Sequence, residues 1–132
     1  MLKGYLTLAA IIGALTVTLG AFGAHFLKTL LSEQALSTYE TAVRYQFYHV
    51  FALALTSILH KSYANKLVTY AANFFVIGIV LFSGSLYLLT FFTAMGNDQF
   101  KWIGAITPIG GFFLIIAWLL LALGIKNGEV IG

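Results

Sequence analysis

Between Lys66 and Asp98 the chain carries no charged residue, and apolar side chains fall on every face of any regular structure built from it. A membrane strand would alternate apolar and polar residues, so the pattern disfavours a strand. In lipid, a single segment satisfies its own backbone groups only as a helix. A hydrocarbon core of about 30 Å needs roughly 20 helical residues. Residues 67–94 therefore predict a transmembrane helix.

Three further stretches have the same character. They cover about residues 4–24, 41–59 and 102–125, and only the second contains a charge, Arg44. The four stretches fill most of the 132 residues and leave no room for a soluble domain. We predict an all-α fold, a four-helix transmembrane bundle, formed by a single integral membrane domain over residues 1–132.

The composition agrees with a chain surrounded by lipid. Hydrophobic residues make up 61% and charged residues 8%, against roughly 45–50% and 25% in soluble domains. The absence of cysteine excludes disulfides, thiolate catalysis and cysteine-based metal sites. A net charge of +3 is too small to indicate nucleic-acid binding. The long uncharged first stretch disfavours a cleaved signal peptide, whose apolar region usually has about 7–15 residues.

Residues 25–39 mix apolar and polar side chains at roughly helical spacing. We predict a short amphipathic segment at the membrane interface, with Ser32 or Ser37 as a helix cap. An ordinary loop with some apolar residues is the alternative. Residues 60–66 and 95–101 are predicted to be turns.

The basic residues of the loops predict the orientation. One side of a four-span protein would hold both termini and the 60–66 turn, with Lys3, Lys61, Lys66 and Lys126. The other side would hold Lys28 and Lys101, joined by Arg44 if its side chain reaches that surface. Both termini are therefore predicted to face the cytoplasm.

The second span has two unlike sides in helical projection. The polar arc carries Thr41, Arg44, Tyr45, Gln46, Tyr48 and His49. The apolar arc carries Val43, Phe47, Val50, Phe51 and Ala54. Because polar groups are costly in lipid, we expect the polar arc to face the bundle interior and the apolar arc to face lipid.

The roles of the charged residues Glu40 and Arg44 and of the two histidines can be interpreted in more than one way. Glu40 and Arg44 have the spacing of a helical ion pair, while Arg44 could instead hold an anionic lipid or substrate group. His25 and His49 could approach each other if their spans enter from the same surface, but too few other ligands accompany them for a metal site. The full set of candidate polar residues is His25, Glu40, Arg44, Tyr45, Gln46, His49, Ser83, Ser85 and Thr107.

Small residues indicate close contacts between helices. The candidates for helix packing are Gly20, Gly23, Gly84, Gly110 and Gly111. Pro108 is predicted to kink the fourth helix, with Gly110 and Gly111 easing the bend. A small polar cavity where this kink, the serines and His49 meet is the alternative to simple packing.

Four motifs occur in order along the chain. They are Gly20-Ala-Phe-Gly-Ala-His25, Thr41-Ala-Val-Arg-Tyr-Gln-Phe-Tyr-His49, Phe82-Ser-Gly-Ser-Leu-Tyr87 and Thr107-Pro-Ile-Gly-Gly111. In this order and spacing the chain resembles the domain-of-unknown-function 423 family, also called uncharacterised protein family 0382, over nearly its whole length. The resemblance implies a multi-pass protein of the bacterial plasma membrane and supplies no catalytic mechanism.

These observations favour an interaction, accessory or assembly role in the membrane, with the lipid bilayer around the protein and a homo-oligomer or larger membrane complex as the partner. The alternative is binding or transport of a small molecule, lipid or ion at the polar face between the first two spans. We expect no enzyme, because no acid inside a span could orient His49 or Ser83. We expect no cofactor and no metal.

Overall fold

The structure, a computed structural model, describes residues 1–130. Its α-helices are α1 (Lys3–Phe22), α2 (Lys28–Leu30), α3 (Glu33–Leu59), α4 (Lys66–Ala94) and α5 (Ile106–Asn127). A π-helical turn, Gly23–Leu27, joins α1 to α2, and a 3-10 helix, Asp98–Ala105, precedes α5. Over the described residues there is no strand. The predicted all-α, four-helix transmembrane bundle is confirmed.

The predicted amphipathic segment over residues 25–39 is not a separate element. The π-helical turn and α2 continue the first helix to Leu30, and the chain becomes extended only at Leu31 (φ −96°, ψ 149°). Ser32 then caps α3, because its Oγ accepts a hydrogen bond from the Ala35 N–H at 3.2 Å. The helix α3 begins at Glu33 and includes the rest of the predicted segment. The predicted Ser32 cap is therefore confirmed, and the helical residues of the segment are divided between the end of the first helix and the beginning of α3.

Three of the four long helical segments are long and apolar enough to cross a membrane: Lys3–Leu30, Lys66–Ala94 and Asp98–Asn127. The other, α3, has 27 residues and measures about 40 Å at about 1.5 Å per residue. It is less apolar because it carries the charged residues Glu33, Glu40 and Arg44 in its first half, together with the buried Gln46 and His49. Its length and its place between α1 and α4 identify it as the fourth span.

Successive long helices run antiparallel. α3 packs against α1 and α4, and α4 packs most extensively against α5. At one end of the bundle the Leu2 N–H donates to the Ser57 carbonyl at 3.0 Å, and Asn65 Nδ2 donates to the Gly124 carbonyl at 2.9 Å. The beginning of the chain, the turn after α3 and the end of α5 therefore meet at the same end.

The prediction that Pro108 kinks the fourth helix was wrong. This proline is the third residue of α5, directly after the 3-10 helix, and the bend lies earlier, at Phe100 (φ −103°, ψ 19°). The first turn of an α-helix has no intrahelical acceptors for its N–H groups. Proline is tolerated in the first turn of an α-helix, so α5 accommodates Pro108 as its third residue.

The core contains few large side chains and many alanines. Phe75, Leu53 and Val68 are the largest fully buried apolar residues. Among them lie Ala42, Ala52, Ala71, Ala72 and Ala117, which are at most 2% exposed. Small side chains let the helix backbones approach closely, which is how helices associate within lipid.

The apolar arc of α3 does not face lipid as a whole. Phe51 is 67% exposed, in keeping with the prediction, but Val50 is buried. Val50 faces α1, where a Cβ built on Gly13 would lie 3.5 Å from its Cγ1. The prediction for Val50 was wrong because α3 is enclosed by neighbours on several sides, so its buried arc is wider than its polar arc.

Candidate functional site

Gln46 is the central residue of the polar interior. It lies in the middle of α3 and is 4% exposed. Its Nε2 donates to Thr16 Oγ1 of α1 at 2.7 Å, and its Oε1 accepts from the Tyr87 hydroxyl of α4 at 2.7 Å. The Thr16 hydroxyl in turn donates to the Ile12 carbonyl at 2.6 Å. One amide therefore ties three helices together.

His49, one turn further along α3, links that helix to α5. Its Nδ1 lies 2.7 Å from the Tyr45 carbonyl, and its Nε2 lies 3.2 Å from the indole Nε1 of Trp118. A carbonyl only accepts and an indole N–H only donates, so the imidazole carries one proton, on Nδ1. Phe75 packs on the same ring, with centroids 5.9 Å apart. Both ring nitrogens therefore have a protein partner, one on α3 itself and one on α5.

The serines and Thr107 connect α4 to its neighbours. The Ser83 hydroxyl donates to the Ala42 carbonyl of α3 at 2.8 Å. The Ser85 hydroxyl donates to the Phe82 carbonyl at 2.9 Å and accepts from the Thr107 hydroxyl of α5, with the two oxygens 2.6 Å apart. These predicted polar residues are brought into contact with other helices, and each hydroxyl has a protein partner.

The other predicted polar residues lie outside this interior. His25 is exposed on the π-helical turn, and Glu40 and Arg44 are exposed near the end of α3. Tyr45 is 38% exposed, with its ring against Phe82 at a centroid distance of 4.6 Å. The structure therefore does not bring His25 and His49 together.

The predicted ion pair between Glu40 and Arg44 is not formed. Among residues 1–130 the one ion pair joins Lys101 and Asp98 at 3.7 Å, and both side chains are largely exposed. In the same part of the chain no three His, Asp or Glu side chains converge as metal ligands would.

Two of the predicted packing glycines meet a neighbour that leaves no room for a methyl group. A Cβ at Gly23 would lie 2.4 Å from Tyr39 Cε1, and a Cβ at Gly110 would lie 2.3 Å from the backbone N of Phe82. At Gly20 and Gly111 a Cβ would have ordinary or slightly tight contacts, at 3.4 and 3.6 Å. At Gly84 it would meet nothing within 4 Å, so packing does not require glycine there.

Sequence reasoning missed several partners of the polar residues. Thr16, Tyr87 and Trp118 were assigned only to apolar stretches, and Tyr39 only to the mixed segment over residues 25–39. The Tyr39 hydroxyl donates to the Leu19 carbonyl at 2.5 Å, and the Tyr5 hydroxyl donates to Asn73 Oδ1 across α1 and α4. Tyr87 stands one helical turn after Ser83, and that spacing was the available signal.

His60 follows the last residue of α3, outside the spans. Its Nδ1 is buried and has no hydrogen-bond partner among the described residues. Burial lowers the pKa of His60 below its ordinary value, and the positive N-terminal ammonium group adds to this shift. The imidazole is therefore held neutral at the end of the bundle where the chain begins.

Comparison with known proteins identifies the family. Residues 19–111 match the family described as "Protein of unknown function (DUF423)". The chain belongs to this family. The matched residues include most of the polar interior, from Tyr39 and Gln46 to Ser83 and Thr107.

Relatives resemble the chain over nearly its full length. A UPF0382 membrane protein of Haemophilus influenzae is 42% identical over 124 residues, covering 94% of each chain. A UPF0382 membrane protein of Staphylococcus saprophyticus is 40% identical over 123 residues, covering 93% of this chain and 97% of the relative. The UPF0382 membrane protein YwdK of Bacillus subtilis is 40% identical over 125 residues, covering 91% and 94%. No solved structure matches the chain.

Proposed function

We propose that this DUF423 protein is an accessory component of the bacterial plasma membrane that acts by associating with another membrane-embedded chain, either a second copy or a subunit of a larger complex. The polar interior supports this reading over transport. Gln46, His49, Ser83 and Ser85 each have a protein partner, so they hold the helices together and do not line a path. A rigid bundle of this kind acts through its outer surface.

We propose that the outer face of α1 contacts the other chain, because this face carries a row of small residues. Ala9 and Thr16 are the buried residues of α1, so this helix contributes less to the core than α3, α4 or α5. The opposite side of α1 is exposed and carries a row of small residues at helical spacing: Thr7, Ala10, Ala14, Thr18 and Ala21. Small residues on an exposed transmembrane face allow another helix to approach closely.

Photo-crosslinking tests the association. With a photo-reactive amino acid in place of Ala14, we expect a discrete adduct in native membranes. The matched control is Ile115 on α5, which is 60% exposed and lies at the same distance from Lys126 as Ala14 does from Lys3. No adduct from position 14, or equal adducts from both positions, would contradict the proposal. The mass of the adduct distinguishes a second copy from another protein.

The charge distribution supports an orientation with both termini in the cytoplasm. The end that carries the termini holds Lys3, Lys61, Lys66, Lys126 and Glu129. The opposite end holds as many basic residues as acidic ones: Lys28, Arg44 and Lys101 with Glu33, Glu40 and Asp98. The first end therefore holds four Lys or Arg residues against three at the opposite end, and this excess supports the first end as the cytoplasmic one by the positive-inside rule.

Cysteine labelling tests this orientation, because the chain has no native cysteine. We expect a membrane-impermeant maleimide to label Lys101→Cys in intact cells and Lys126→Cys only after lysis. Both lysines are exposed, so accessibility depends on the side of the membrane and not on burial. Labelling in the reverse order would show that the orientation is inverted.

A further inference from the structure

We infer that a notch between α1 and α3 binds the headgroup of phosphatidylethanolamine, a phospholipid that carries a phosphate and a primary ammonium. The notch has a volume of about 210 Å³. Gly20 of α1 forms one wall with Gly23 and Ala24 of the π-helical turn that follows it, and Glu40 and Arg44 of α3 form the other. This site goes beyond the proposed association and does not depend on it, since it lies between α1 and α3 and not on the outer face of α1.

The two charges of the notch are unusual because they are not paired with each other. Glu40 precedes Arg44 by one helical turn, which is the favourable order for an ion pair on a helix. The one ion pair among residues 1–130 is nevertheless Lys101–Asp98. Glu40 and Arg44 are both exposed, and both line the notch. The notch thus presents a carboxylate and a guanidinium side by side.

The depth of the notch corresponds to the headgroup level of a bilayer. Lys3, Lys61 and Lys66 mark the opposite end of the bundle. At about 1.5 Å per residue, Glu40 lies roughly 30 Å from Lys61 along α3, which is the thickness of the hydrocarbon core. Arg44 lies about one turn, or 6 Å, closer to the middle. Its long side chain can extend to the same boundary.

The carboxylate of Glu40 and the guanidinium of Arg44 together favour one lipid headgroup over others. A guanidinium binds phosphate through two parallel hydrogen bonds, and a carboxylate accepts strong hydrogen bonds from an ammonium. The phosphoethanolamine group offers both partners. A phosphoglycerol headgroup would satisfy Arg44 but bring a net negative charge beside Glu40. A choline headgroup brings a cation without an N–H to donate to Glu40.

The wall formed by α1 and the π-helical turn provides the space. Two glycines and Ala24 face the notch, so no side chain larger than a methyl group enters it from that wall. Gly23 is already closed by the Tyr39 ring, which leaves Gly20 and Ala24 as the open positions. Ala24 is exposed, so a larger side chain there would occupy the notch without entering the core.

Native mass spectrometry of the full chain in detergent, with dioctanoyl phosphatidylethanolamine, phosphatidylglycerol and phosphatidylcholine as probes, tests the site. We expect the wild type to bind phosphatidylethanolamine most tightly. Because Glu40→Gln removes the negative charge that pairs with the lipid ammonium, it is expected to lower that affinity about tenfold and to abolish the preference over phosphatidylglycerol. Arg44→Gln is expected to weaken the binding of both lipids.

Two further variants complete the design. Glu33→Gln, at the same end of the bundle but outside the notch, should keep the wild-type affinities. Ala24→Leu should lose the binding of phosphatidylethanolamine while its thermal unfolding stays unchanged. Equal affinities for the three lipids, a preference that survives Glu40→Gln, or undiminished binding by Ala24→Leu would each overturn the inference.

Discussion

Replacement of Gly110 by alanine is expected to push α4 and α5 apart and to cause a large loss of stability. The new Cβ would lie 2.3 Å from the backbone N of Phe82 and 2.7 Å from its Cα. Backbone atoms inside a helix cannot turn aside as a flexible side chain can. The helices must move apart, which also strains the bond between Ser85 and Thr107.

Overpacking of a core usually costs about 1–3 kcal/mol, and we expect Gly110→Ala to lie at the upper end of this range. Reversible unfolding of the full chain in mixed micelles would measure the free energy of unfolding. Gly111→Ala is the matched control, since its Cβ would make an ordinary contact at 3.6 Å with the Phe82 ring. Alanine is the better helix former by about 1 kcal/mol, so the control should be neutral or stabilising. Equal losses from both variants would refute the close backbone contact.

Gln46→Leu is expected to produce the second large effect. Leucine has a similar volume but no polar group, so the Tyr87 hydroxyl loses its acceptor and Thr16 Oγ1 loses a donor. A buried hydroxyl left without a partner costs about 1–3 kcal/mol. Interhelical hydrogen bonds in membranes average only about 0.6 kcal/mol, with a maximum near 1.7. We therefore expect a loss of about 1–2 kcal/mol in the free energy of unfolding.

A double-mutant cycle with Tyr87→Phe identifies the cause of that loss. Tyr87→Phe removes the orphaned hydroxyl, so the double variant should be more stable than Gln46→Leu alone. If the two losses simply add, the residues do not interact and Gln46 is not the centre of the interior. Thr18→Val is a suitable control, because its exposed hydroxyl bonds only within α1, to the Ala14 carbonyl.

The polar arc of α3 shows how far the sequence analysis reached. Gln46 and His49 were placed inside because amide and imidazole groups are costly in lipid, and the structure places them there. Arg44 and Tyr45 belonged to the same arc and are exposed. A helical projection gives the direction of a side chain but not the position of the neighbouring helices. Arg44 also lies near the end of the span, where its side chain can reach the headgroups.

The boundaries of the elements were less predictable than their number. The π-helical turn at Gly23–Leu27 let the first helix continue to Leu30, whereas the local pattern suggested a separate segment. Pro108 was assigned a kink because a proline inside a helix usually causes one. That inference required knowing where the α-helix starts, and the 3-10 helix before it was not visible in the residue pattern.

The chain itself determined that it lies in lipid, through its long apolar stretches, and that it is helical, because hydrocarbon requires every backbone group to be bonded within its own segment. The even number of apolar stretches determined that the chain begins and ends on the same side of the bundle. The chain also determined the family, through four motifs in a fixed order. Only the tertiary structure decided which glycines touch another backbone and which hydroxyl meets Gln46. Those contacts depend on separations of a few tenths of an ångström between helices that are far apart in sequence, and no local periodicity encodes them.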